Sequence, residues 1–204
     1  NVMKATIERY RESPVLESYQ LENEYFNTVF GTCTDFDRER LVDEYNLVKS
    51  LDPDRRLIIS RSNNAIGIPV GEPIPDEFAV SVYKRVWDKN VTKRYYEYPF
   101  PAWFYGFLAG TQELVHGKNM IIHELQTEPW PDEKYNIVTA PIDELYKTLN
   151  PERLQGRFNY GQATGMKEIY LWGPEWWYQM KTLRGSPDIW NTAKEEISKA
   201  NSLN

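Results

Sequence analysis

Two spacings of apolar residues run along this chain. From Val2 to Glu12 they follow the helical period, and Ser13-Pro14 closes that run because proline disfavours helical geometry in the residue before it. Leu16 to Leu21 predicts a short strand. Asp37 to Ser50 predicts a helix with Leu41, Tyr45 and Val48 on one face and Asp35 as its cap. Leu57-Ile58-Ile59-Ser60 and Phe78 to Tyr83 are short β-branched or apolar runs of the kind that form buried strands. Trp103 to His116 reads as a helix, weakened by Gly106 and Gly110, and Met120 to Glu124 as a further strand. Asn150-Pro151 opens another helix, with Asn as cap and Pro in the first turn. Glu168 to Trp172 is the last strand, and Ser186-Pro187 starts a terminal helix reaching about Ala200.

Five strands separated mostly by helices imply βαβ crossovers and a parallel sheet in one α/β domain spanning residues 1–204. The crossover from Leu57 to Tyr83 is the exception, since residues 63–75 hold three prolines and two glycines. A complete (β/α)8 barrel takes about 250 residues and eight strands. Five strands preceded by a helix therefore suit the C-terminal portion of such a barrel, with about three βα units upstream. The competing architecture is a doubly wound sheet. It lacks its usual support, because no Gly-rich phosphate loop follows the first strand.

Composition narrows the function. Of the 204 residues, 41% are hydrophobic and 26% charged, which excludes a disordered chain. No apolar run approaches about 18 residues, so no membrane segment is expected, and no signal-peptide pattern opens the chain. The compartment stays open, an extracytoplasmic one with its targeting region upstream included. A net charge of −6 argues against nucleic acid as partner. A lone Cys33 excludes an intramolecular disulfide or a cysteine metal cluster, and two histidines leave little for histidine chemistry. No cofactor or metal is implied. Aromatic residues reach 14% and gather in two loop-like, Pro-containing stretches, Tyr95 to Tyr105 and Trp172 to Tyr178. Flat apolar faces beside carboxylates and amides suit a polyhydroxylated ring, whose C–H face stacks while its hydroxyls hydrogen-bond.

Functional groups of parallel α/β proteins sit where strands run out at their C-terminal ends. The first strand runs out into Gln20-Leu21-Glu22-Asn23-Glu24-Tyr25, and the fourth into His123-Glu124-Leu125-Gln126-Thr127-Glu128-Pro129-Trp130. Acidic residues from two strand ends are what a glycosidase uses. One protonates the leaving oxygen and the other faces the anomeric carbon.

These residues carry a resemblance. Gln20 to Tyr25 resembles the Asn-Glu motif that closes the fourth barrel strand in clan A glycoside hydrolases, retaining β-galactosidases above all. Ile122 to Gln126 is similar to the Glu-bearing end of the seventh strand in cellulase-like members. Leu171-Trp172-Gly173 is similar to the eighth-strand tryptophan, and Val82-Tyr83 to the sixth-strand tyrosine. The resemblance implies barrel strands four to eight, a retaining reaction on an oligo- or polysaccharide, Glu24 as acid/base and Glu124 as nucleophile. It further implies that Asn23 binds the sugar 2-hydroxyl, Tyr83 donates to Glu124, and Trp172 floors the subsite. Gln126, Trp130 and Trp176 are further candidate substrate contacts. Glu128 is a rival nucleophile, because in an extended strand Glu124, Gln126 and Glu128 alternate onto one side, and Glu22 is a lesser alternative acid. His123 in place of Thr, and Ser60 to Asn64 at the fifth strand end, depart from the family pattern. Two other readings share these residues. One is a non-catalytic carbohydrate-binding barrel. The other is a carboxylate enzyme with a divalent metal, which would need a third oxygen ligand such as Glu128 or Asp132.

Overall fold

The computed structural model describes residues 2–25, 27, 37–63, 67 and 71–202. Asp35, Cys33 and Asn64 lie outside them, and the helix thought to begin after Asp35 is capped by Asp37, whose Oδ1 accepts from the Arg40 N–H at 2.8 Å. The elements run in the order α1 (Val2–Tyr10), β1 (Ser18–Gln20), α2 (Arg38–Leu51), β2 (Arg56–Arg61), β3 (Glu77–Val82), β4 (Arg85–Asp88), β5 (Arg94–Glu97), α3 (Ala102–His116) and β6 (Asn119–Gln126). Then follow α4 (Ile142–Tyr146), α5 (Pro151–Ala163), β7 (Ile169–Trp172), α6 (Pro174–Leu183) and α7 (Asp188–Asn201).

A five-stranded sheet has the order β1-β2-β3-β6-β7, and the registers of β1 with β2, β2 with β3 and β6 with β7 are parallel. All five strands expected from the pattern are present, so the chain is α/β with a parallel sheet. Two departures concern aromatic segments read as loop. Tyr95 and Tyr96 belong to a β4–β5 hairpin, with Trp87 opposite Tyr95. Trp176 to Tyr178 lie inside α6, where Pro174 occupies the first turn and its missing N–H costs the helix nothing.

The described residues form two compact units. One comprises Asn1–Ser81 and Phe107–Ile121, the other Val82–Gly106 and Ile122–Asn204. In the first, Leu57 and Ile59 of β2 bury against Ile7 of α1 and Leu41 and Val48 of α2, while Ile58 packs with Ala79 and Ile121. That split is the strand's period of two made physical. In the second, Leu154 and Phe158 of α5, Trp177 and Met180 of α6, and Ile189 and Ala193 of α7 share one core. Each of the Leu, Ile, Val, Met and Phe side chains contributes about 1.5–3 kcal/mol by leaving water. No described helix is long and apolar enough to cross a membrane.

Candidate active site

In the first unit the candidate acid sits on a turn. Beyond β1, the Leu21 N–H continues the ladder to the Ile58 carbonyl at 2.9 Å, and the chain then breaks away. Glu24 is 6% exposed and has φ of +50°. A left-handed backbone costs an L residue about 1–2 kcal/mol, and such residues gather at functional sites. Ser60, fully buried at the end of β2, holds the turn: its Oγ accepts from the Glu24 N–H at 2.8 Å, and its carbonyl accepts from the Tyr25 N–H at 3.1 Å. Asn27 donates through Nδ2 to Glu24 Oε2 at 2.6 Å. Asn23 Oδ1 accepts from Gln20 Nε2 at 2.9 Å, so that amide orients the residue beside Glu24.

Glu22, the lesser alternative acid, which strand alternation would put on the side of Glu24, is turned elsewhere. Its Oε1 lies 2.7 Å from Arg40 Nη2 of α2, and burial together with neighbouring Glu44 raises its carboxyl above the usual range. The turn at Glu24 ends the strand alternation that would have put the two on one face.

In the second unit Glu124 is 7% exposed near the end of β6. The β6–β7 register shifts between Ile122 and Leu125, and a bulge of this kind re-aims side chains next to functional sites. Tyr83, one residue past β3, donates its hydroxyl to Glu124 Oε2 at 3.0 Å. Trp130 meets the Tyr83 ring edge-on, with centroids 5.3 Å apart. His123 Nδ1 lies 3.9 Å from Glu124 Oε1, and burial lowers the imidazole pKa to about 4, so near neutral pH it brings no charge to the carboxylate.

Gln126 does not reach a substrate. It is fully buried; its Oε1 accepts from the backbone N–H groups of Lys84 and Arg85 at 2.9 and 3.0 Å, and its Nε2 donates to the carbonyls of Arg85 and Glu128. Its amide is fully occupied in holding the segment after Tyr83 against β6. Trp176, also named as a sugar platform, is 3% exposed in the core of the second unit and presents no face to a ligand. The helical period of α6 puts it there, an alternation hidden while the segment was read as loop.

Trp172 ends β7 with 47% of its surface exposed, and its Nε1 donates to Glu128 Oε1 at 3.0 Å. The geometry of that corner is rigidly specified. The Trp172 carbonyl accepts from both the N–H and the Oγ1 of Thr127, and the Thr127 carbonyl accepts from Trp177 Nε1. Gly173 has φ of +125°, and a Cβ there would lie 2.5 Å from Glu128 Cβ and 2.9 Å from backbone atoms of residues 127 and 128. Burial raises the Glu128 carboxyl above its ordinary value, as does Glu175, while the Trp172 hydrogen bond and the nearby Trp130 indole oppose the shift.

Asn27, Ser60 and Thr127 escaped the sequence reading. Only Asn27 left a trace, as an amide three residues after Glu24. Among the described residues, no three His, Cys, Asp or Glu side chains converge in a way that could hold a metal ion.

The fold is similar to that of the GH2 beta-galacturonidase of Eisenbergiella tayi bound to galacturonate, with a TM-score of 0.53 and 17% identity over 83% of this chain and 28% of that one. The beta-glucuronidase of Faecalibacterium prausnitzii aligns with a TM-score of 0.42 and 15% identity over 84% of this chain and 27% of that one. The chain thus spans less than a third of either protein, and at such identity the first likeness is one of fold. No protein-family model matches the chain, and no curated protein matches it in sequence.

Proposed function

We propose that this chain contributes the C-terminal five strands of a (β/α)8 barrel to a glycoside hydrolase that cleaves O-glycosidic bonds with retention. The observation that carries this reading is the Tyr83 hydroxyl on Glu124, a buried carboxylate re-aimed by a bulge at a strand end. The fold likeness to a solved glycosidase supports it. In the first step Glu124 attacks the anomeric carbon while the Glu24 carboxylic acid protonates the departing oxygen, leaving a glycosyl ester on Glu124. In the second, Glu24 as carboxylate takes a proton from water, which attacks the same carbon and releases Glu124. The Tyr83 hydrogen bond stabilises the nucleophile as an anion and orients it. Trp172 and Trp130 offer apolar faces to the sugar ring.

Retention calls for carboxyl groups about 5–5.5 Å apart. The test is hydrolysis of an activated aryl glycoside by wild type, Glu24→Gln and Glu124→Gln. Each substitution should lower kcat by about 100- to 10,000-fold, and NMR of the first-formed product should show the starting anomeric configuration. If both variants keep wild-type turnover, this pair does no chemistry. If the protein binds glycans without cleaving any, it is a carbohydrate-binding barrel instead.

A further inference from the structure

We propose that Glu128 makes this site selective for neutral sugars and against uronic acids, an inference that rests on the glycosidase reading for its ligand class. Glu128 stands four residues past Glu124, within the same compact unit, and the reaction steps above do not use it. Its carboxylate is fixed. Trp172 donates to one oxygen, and the backbone carrying Glu128 is clamped to the end of β7 through Thr127, Trp177 and the Cβ-free surface of Gly173.

A fixed carboxylate beside a half-exposed indole is a recognisable piece of sugar-binding chemistry. The ring face receives the C–H surface of a pyranose, and the carboxylate oxygens accept hydrogen bonds from hydroxyls at its edge. Hydrogen bonds to an ionised acceptor are roughly twice as strong as neutral ones. The same group rejects a uronate, because two carboxylates brought together repel, and among the described residues no lysine or arginine is hydrogen-bonded to Glu128 to offset that. Its electrostatic neighbour is another acid, Glu175. The two cations that follow Tyr83 are turned to other work. Lys84 Nζ donates to the carbonyls of Tyr98 and Phe100, and Arg85 bonds the Lys147 carbonyl and Glu97.

The experiment compares kcat/KM of the full chain for matched aryl glycosides, glucoside against glucuronide and galactoside against galacturonide. Calorimetry gives the Kd of a neutral and a uronic-acid disaccharide for the Glu124→Gln variant. Wild type should favour the neutral member by at least about 100-fold, a ratio that depends on no variant folding. Glu128→Gln keeps the size and the acceptor but not the charge. It should narrow the ratio about 10-fold or more, mainly by raising KM for the neutral sugar and lowering it for the uronide. Equal handling of uronide and neutral sugar by wild type overturns the inference and leaves the hydrolase reading intact. An unchanged ratio in folded Glu128→Gln overturns the assignment to Glu128. A Glu128-dependent preference for binding neutral sugars with no hydrolysis supports it while removing the hydrolase reading, and no binding or cleavage of either sugar removes both.

Discussion

The Tyr83 hydroxyl holds Glu124 from another strand end, and its worth can be measured. Tyr83→Phe removes the hydrogen bond without removing the ring that Trp130 packs against. A hydrogen bond to a charged partner is worth about 1.5–3 kcal/mol, so kcat/KM should fall by about 10- to 150-fold. Circular dichroism should be unchanged. A variant with wild-type kinetics would mean that Glu124 is not the reacting carboxylate. The residues at strand ends were readable because a motif names both the side chain and its place on the element. Tyr83, Glu124 and Trp172 stand where the pattern put them. Gln126 and Glu22 were misjudged for one reason: strict alternation assigns faces only while the ladder is regular. A bulge in β6 and a left-handed turn after β1 interrupt it.

At the level of elements, strands announced themselves through β-branched runs and helices through caps. Asn150 is an instance, with Oδ1 accepting from the Arg153 N–H at 2.8 Å. The β4–β5 hairpin left no comparable mark. Its strands are four residues each, and the turn between them contains neither Gly nor Pro. The β7–α6 corner shows how an element boundary serves the site. Gly173→Ala would press a methyl into Glu128 and demand a left-handed backbone of alanine. Chemical denaturation should show a loss of more than about 1 kcal/mol, and because Trp172 and Glu128 would be pushed apart, KM should rise with it. An alanine variant with wild-type stability would show that the corner relaxes freely.

Among the described residues, the groups read as chemical lie near or just past strand C-terminal ends, and half-buried ion pairs lie at the starts of β2 and β3. In the first unit Arg56 opens β2 with Nη1 3.0 Å from Glu77 Oε2, and Asp76 Oδ2 accepts from Lys49 Nζ at 2.6 Å and the Leu57 N–H at 2.9 Å. Burial pushes the Asp76 carboxyl up. The Lys49 and Leu57 hydrogen bonds and the Lys118 charge outweigh it and hold the pKa below its ordinary value. Folding therefore gains from Asp76 above the unfolded carboxylate range and loses that gain as pH falls through the folded value. Asp76→Asn should cost about 1–2 kcal/mol at neutral pH, with the difference from wild type shrinking as pH falls through and below the ordinary carboxylate range. It should leave kcat/KM untouched, since in parallel α/β barrels the strand starts serve stability and the strand ends chemistry; a drop in kcat/KM would contradict this division.

The left-handed backbone at Glu24 bears on how such a chain can change over generations. Glycine adopts that conformation without penalty, so the mutation that most relaxes the turn also deletes the proposed acid. Drift under selection for folding alone would lead toward a sturdier, silent protein at this position. Keeping a side chain there is a standing tax on the fold, borne only for as long as the carboxyl is used.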